Sequence, residues 1–317
     1  PEPVTGGSYT EGLIGTFSRL NPLLAYYNPA DRDVNHLLFS SMVRFDDRGL
    51  PQPDLAESWG ISKDGTVYNF SLRTNAIWHD GTPVTSADID KTIEFLQNPA
   101  MPIPEDIQAF WAEIDVVVLD DHTIQFRLPE PFAPFLDYVT FGILPAHIVA
   151  GQTPEGLIND PFNMNPVGSG PFRFEQLIVE EGQIRGVALA AFDDYFEERP
   201  YIDQFLFRYY SDAASALTAY QEGEIQGISQ ITTETLAQAL DELELNLYTG
   251  RLPELSLILL NLDNQSTPFF QDASLRKALL MGLNRQWMAD HLLDSQVTLA
   301  NGPIFPNTWA YYEGIER

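Results

Sequence analysis

The sequence predicts a mixed α/β (α+β) protein with enough chain for roughly two domains. Three observations carry that prediction. The chain has 317 residues, of which 44% are hydrophobic, so it can bury a sizeable core. Strand-like alternation and helix-like spacing of apolar residues both recur along it. Its 21 glycines and 23 prolines are scattered rather than gathered in one linker, as many short elements joined by turns require.

Residues 8–16 predict a short strand, followed by a loop punctuated by Pro22 and Pro29. Residues 34–46 place Val34, Leu37, Leu38 and Val43 at approximately helical spacing, and Asp46-Asp47-Arg48-Gly49 predicts a turn. In TVYNFSL, Tyr68, Phe70 and Leu72 alternate with Asn69 and Ser71, the pattern of a half-buried strand. Thr85 followed by Asp88 approximates a capping box, and Ile89, Ile93 and Leu96 then share a helical face. Residues 113–131 predict a hairpin turning at Asp120-Asp121-His122, with Ile124, Phe126 and Leu128 on its inner face. Residues 151–168 predict loop, and a second β-rich section starts at 172. Residues 211–227 predict a helix with Ala213, Leu217 and Tyr220 on one face, a stop at Gly223, then a strand. ELSLILLNLDNQ (254–265) predicts a buried strand. From 272 to 293 a single helix is predicted, capped by Asp272, with Leu275, Ala278, Leu279 and Gly282 facing inward.

The formal charge is −28, from 45 acids against 17 bases, and only three of the bases are lysines. Such a chain repels phosphate, which argues against nucleic acid and anionic membrane surfaces as partners. No apolar run reaches the length of a membrane span, and no signal-peptide pattern opens the chain. Cysteine is absent, which removes disulfides, thiolate nucleophiles and cysteine-ligated metal together.

The segment WHDG (78–81) places a histidine beside an aspartate. Neighbours in an extended chain point to opposite faces, so a strand end with a packed Trp78 and an Asp-Gly turn is the simpler reading, and a catalytic pair is the competitor. The five histidines (His36, His79, His122, His147, His291) show no metal-ligand spacing. Adjacent acids such as Glu197-Glu198 read as solvated turns rather than the convergent carboxyls of a glycosidase. No catalytic residue, metal ligand or cofactor is assigned. Tyr26, Tyr27 and Trp111 stand in proline-flanked contexts and are candidates to line a pocket.

The order of segments is more informative than any one of them. RLNP (19–22), PDLAESW (53–59), DGTVYNFSLR (64–73), WHDGTPVTSADI (78–89), PVGSGPF (166–172), GEIQG (223–227) and DASLRKALLMGLNR (272–285) follow one another. In that order they resemble the family-5 extracellular solute-binding proteins, the oligopeptide-, dipeptide- and nickel-binding class that serves ABC importers. The resemblance runs from about residue 8 to 317, with Ser86 and Gln226 where the family often has Ala and Asp.

The resemblance implies a class II periplasmic-binding-protein-like fold. Domain I would comprise 1–44 and 167–257, an inserted domain II would be 45–166, and domain III would begin at 258. WHDG would then be scaffold. Family members are longer, so the chain is read as a fragment that stops early in domain III, without the acid that holds a peptide's N-terminus. The implied ligand contacts are Tyr26, Tyr27 and Asn28 in the loop after the Asn-Pro, and Ser256 and Ile258 in the strand before domain III. The implied function is an extracytoplasmic receptor, periplasmic or at the cell surface, with any anchoring cysteine upstream of Pro1. It would close on a peptide-like or other small solute and hand it to a membrane permease. A carbohydrate receptor, a hydrolase with convergent carboxylates and a sensor module on the same fold are the alternatives.

Overall fold

The computed structural model describes residues 3–248, 250, 254–293, 295–305, 308, 310–312 and 314. Two units result: Pro1–Asp46 with Pro51–Leu245, and Asp47–Leu50 with Asn246–Arg317.

The first unit runs through β1 (Ser8–Ile14), α1 (Pro29–Leu38), β2 (Val43–Phe45), β3 (Pro51–Pro53), β4 (Ala56–Ile61) and β5 (Val67–Leu72). It continues with α2 (Ser86–Gln97), α3 (Glu105–Ala112), β6 (Asp115–Asp120), β7 (Thr123–Arg127), α4 (Ala146–Val149) and α5 (Pro154–Ile158). It ends with β8 (Phe172–Glu180), β9 (Gln183–Ala191), β10 (Gln204–Tyr210), α6 (Ala213–Gln221), β11 (Gly227–Ile228) and α7 (Thr233–Leu240).

One sheet has the order β11-β1-β10-β9-β8. Strand β1 lies parallel to β10 from Ser8↔Gln204 to Ile14↔Tyr210, while β10, β9 and β8 form an antiparallel meander. Helix α1 starts earlier than the apolar spacing indicates because Pro29, with its fixed φ and missing N–H, suits the first helical position. It buries Ala30, Asp31, Val34, Asn35 and Leu38, a stripe at helical spacing, and stops where Phe39 turns extended. Residues 43–45, placed on the same helix by the sequence, form β2 instead. Helix α6 ends at a glycine, Gly223, whose φ of +77° lies in the left-handed region.

A second, antiparallel sheet has the order β4-β5-β7-β6. Tyr68, Phe70 and Leu72 point into the core from β5, and Ile124 and Phe126 from β7, as the alternation predicts. Helix α2 begins with the expected capping box, Thr85 and Asp88 bonding each other's backbone N–H. Trp111 does not line a pocket. It sits on α3, 1% exposed, its ring 6.2 Å from those of Phe126 and Phe135. Its proline-flanked context misleads because a large apolar ring on a helix beside a sheet face gains more from burial than from exposure.

In the second unit the structure departs from the sequence-based expectation. Residues 254–261 form no strand, and Ile258 is 72% exposed. A strand needs a neighbour to take its backbone hydrogen bonds, and no described residue pairs with this run. The expected single helix is two, α8 (Ala273–Gly282) and α9 (Arg285–Leu292). The break is at Asn284, whose Oδ1 accepts from Trp287 N–H and caps α9. Asp272 caps α8 as expected, but no described α8 residue is buried: Leu275 is half-buried and Ala278, Leu279 and Gly282 are exposed.

Candidate functional site

The loop between β1 and α1 is built on buried polar contacts. Asn21 is fully buried; its Nδ2 donates to Asn163 Oδ1 (2.9 Å) and its Oδ1 accepts from Leu23 N–H (3.1 Å). Asn163 in turn donates to the carbonyls of Leu157 and Ile158 and accepts Leu20 N–H through its own carbonyl. This pins RLNP to the 157–163 segment with both polar atoms of the Asn21 side chain engaged, the condition under which a buried amide is stable.

Asp31 organises the other side of the loop. Its carboxylate accepts from Ser18 N–H (3.1 Å), Arg19 N–H (2.9 Å) and Asn28 Nδ2 (2.7 Å). Burial raises its pKa above the usual aspartate value, although these hydrogen bonds pull the other way. Asp31 is a structural support of this loop that composition and motif did not single out. The available signal was an acid three residues after the helix-capping Asn28.

Tyr26, Tyr27 and Asn28 stand together on this braced loop. Tyr26 is 46% and Tyr27 74% exposed, and their rings meet edge-to-face at 5.1 Å. The Tyr26 carbonyl accepts from Arg32 Nη1 (2.9 Å). Asn28 directs both its amide N–H groups inward, to Thr16 O (2.9 Å) and Asp31, which leaves its Oδ1 as the free polar atom. Ser256 and Ile258 lie in the second unit, exposed, on the irregular run 254–261.

The WHDG segment holds no dyad. His79 Nδ1 accepts Gly168 N–H (3.1 Å) and its Nε2–H donates to Gly170 O (3.0 Å), so both ring nitrogens are engaged in the neutral form. Burial, the dominant cause, lowers the His79 pKa to about 4. Asp80 points elsewhere, to His147 Nε2 (2.7 Å) and Thr82 N–H (2.9 Å). Trp78 is fully buried. Among the described residues no group of three or more His, Cys, Asp or Glu is placed to hold a metal, and no helix is long and apolar enough to cross a membrane.

Comparison with known proteins supports the same assignment. The family model for bacterial extracellular solute-binding proteins, family 5, matches residues 51–317. The oligopeptide-binding protein AppA of Bacillus subtilis is 27% identical over 99% of this chain and 57% of its own length. The dipeptide-binding protein of Escherichia coli is 27% identical over 83% of this chain and 51% of its own. The chain thus spans about half the length of these relatives. The structure of AppA with a nonapeptide superposes with a TM-score of 0.75 at 26% identity, covering 99% of this chain and 61% of that one. NikZ from Campylobacter jejuni in complex with Ni(L-His) gives 0.75 at 28%, covering 96% and 58%. The ordered motifs, the likeness of fold and the family match over most of the chain agree. The chain belongs to the family-5 bacterial extracellular solute-binding proteins.

Proposed function

We propose that this chain is part of an extracytoplasmic receptor that captures a peptide-like or other small solute and delivers it to an ABC permease. The observation that carries the reading is likeness to an oligopeptide-binding protein over 99% of the chain, in sequence and in fold. The mechanism is closure of two lobes on the ligand, with the permease selecting the closed form.

Within that reading, domain I is 1–44 with 167–257, domain II is 45–166, and domain III begins at 258. In support, the five-stranded sheet takes its strands from residues 8–228 outside the insertion, and the four-stranded sheet takes its strands from 56–127 inside it. Tyr26 and Tyr27 supply aromatic contact area at low entropic cost, and Asn28 supplies one acceptor on a loop already ordered before binding. Ser256 and Ile258 offer further contacts from the 254–261 run.

The test is native mass spectrometry of the full gene product, followed by denaturing release of whatever it carries. Release of peptides is the expected result. A ligand-free protein that also ignores a mixed peptide library in calorimetry would overturn the proposal.

A further inference from the structure

The second unit has no core of its own. Among its described residues only Ala289 is buried. Its helices are nonetheless built for an interior. On α8, Ala278, Leu279, Leu280 and Met281 follow one another, which at about 3.6 residues per turn puts apolar groups on every side. A helix that is apolar all round belongs under other elements. Here Leu280 is 50% and Met281 76% exposed, and Trp287, Met288 and Leu292 of α9 are exposed as well. The excess is visible in the chain as a whole. It exposes 18953 Å², against about 13,000 Å² for a folded monomer of its 35.6 kDa mass. That surplus is several times the roughly 800 Å² that a stable dimer buries on each partner.

Charge selects what can cover this face. At a net charge of −28, two copies of the chain repel over most of their surface. Residues 272–293 are the exception, with Arg276, Lys277 and Arg285 against Asp272 and Asp290. Two copies can therefore meet there without like-charge repulsion. We propose that the exposed face of α8 and α9 is an interface with a second copy of this chain. A two-fold contact sets the same patch on both sides, so the bases of each copy face the acids of the other. Leu280, Met281 and Trp287 supply the dry centre, and the charges form the rim. The interface does not depend on the receptor reading or on the loop at Tyr26.

Sedimentation velocity of the 317-residue chain, from low to hundreds of micromolar, tests the proposal. A discrete species of twice the 35.6 kDa monomer mass is expected at tens of micromolar. Leu280→Glu and Met281→Glu should each weaken association about tenfold or more, since each places a carboxylate at the dry centre. Tyr201→Glu, at a residue of like exposure in the first unit and outside the candidate ligand contacts, should leave it unchanged. Circular dichroism melts identify the variants that stay folded, and the mass of the unmodified chain decides even where a variant does not. A monomer throughout the range would overturn the proposal, whether hydroxyl-radical footprinting then finds Met281 covered by the chain's own residues or open to another partner. An open-ended series of larger species, or wild-type association in folded Leu280→Glu and Met281→Glu, would overturn it equally.

Discussion

His79 and Gly168 bond each other twice. Gly168 N–H donates to the imidazole Nδ1 at 3.1 Å, and His79 N–H donates to the Gly168 carbonyl at 2.8 Å. Around them Gly170 N–H reaches Leu38 O (2.9 Å) and Ser40 Oγ donates to Ser169 O (3.0 Å). The segment after α1 (38–40) and the 168–170 segment are thus tied to one another and to the loop that follows β5.

This tie makes stability depend on pH. His79 titrates at about 4 when folded and near 6.5 when unfolded, so between those values the unfolded chain binds more protons. Its contribution is fully present above pH 6.5 and is lost as pH falls to about 4, up to about 3 kcal/mol. Buried Asp31, Asp54 and Asp88, whose pKa values are raised chiefly by desolvation, act with the opposite sign just above the usual aspartate range. Urea unfolding of wild type and His79→Gln across this window isolates the histidine: the difference between them should shrink as pH falls. A constant difference would rule the mechanism out.

Gly168→Ala should be among the most damaging single-methyl changes. A Cβ there would lie 1.8 Å from Leu38 O, a backbone atom already accepting Gly170 N–H. Relieving the clash moves the crossing, at about 3 kcal/mol. A melting temperature within a degree or so of wild type would contradict this account.

Tyr26→Ala and Tyr27→Ala should leave stability within about 0.5 kcal/mol, since both residues are exposed. In the full-length protein each should weaken ligand binding about tenfold or more if this loop contacts ligand. Asn28→Ala should cost about 1 kcal/mol of stability as well, because it removes two hydrogen bonds. Unchanged calorimetric affinity in all three would remove the loop from the site.

Trp111→Ala gives the contrast. Its ring is buried among Phe126, Phe135 and Phe141, so truncation should cost about 3–5 kcal/mol with no specific effect on ligand affinity in whatever remains folded. A near-neutral effect on denaturant midpoint would show that this aromatic cluster is not the core of the β4–β7 sheet.

Sodium chloride should stabilise the chain. Self-repulsion at a net charge of −28 is screened as the Debye length falls from about 10 Å at 0.1 M to about 3 Å at 1 M. Thermal melts over that range should rise steadily; a flat or falling series would mean that the carboxylates are already balanced locally.

Where an element depends on its own neighbours, the sequence alone was sufficient. The alternation of Tyr68, Phe70 and Leu72, the Thr85–Asp88 box and the Gly223 stop are properties of residues two to four apart, and each appears where expected. The ordered motifs carried the family for the same reason, since they are local patterns in a fixed sequence. Only the tertiary structure decided what depends on distant partners. It buried Trp111, ended α1 at Leu38, and joined His79 to Gly168 across 89 positions. It left 254–261 without a strand partner among the described residues, and it left the apolar residues Leu280 and Met281 of α8 exposed. Periodicity tells which face of a segment is apolar; which neighbour covers that face, and which hydrogen-bonding groups meet there, is set by packing between elements far apart in the chain.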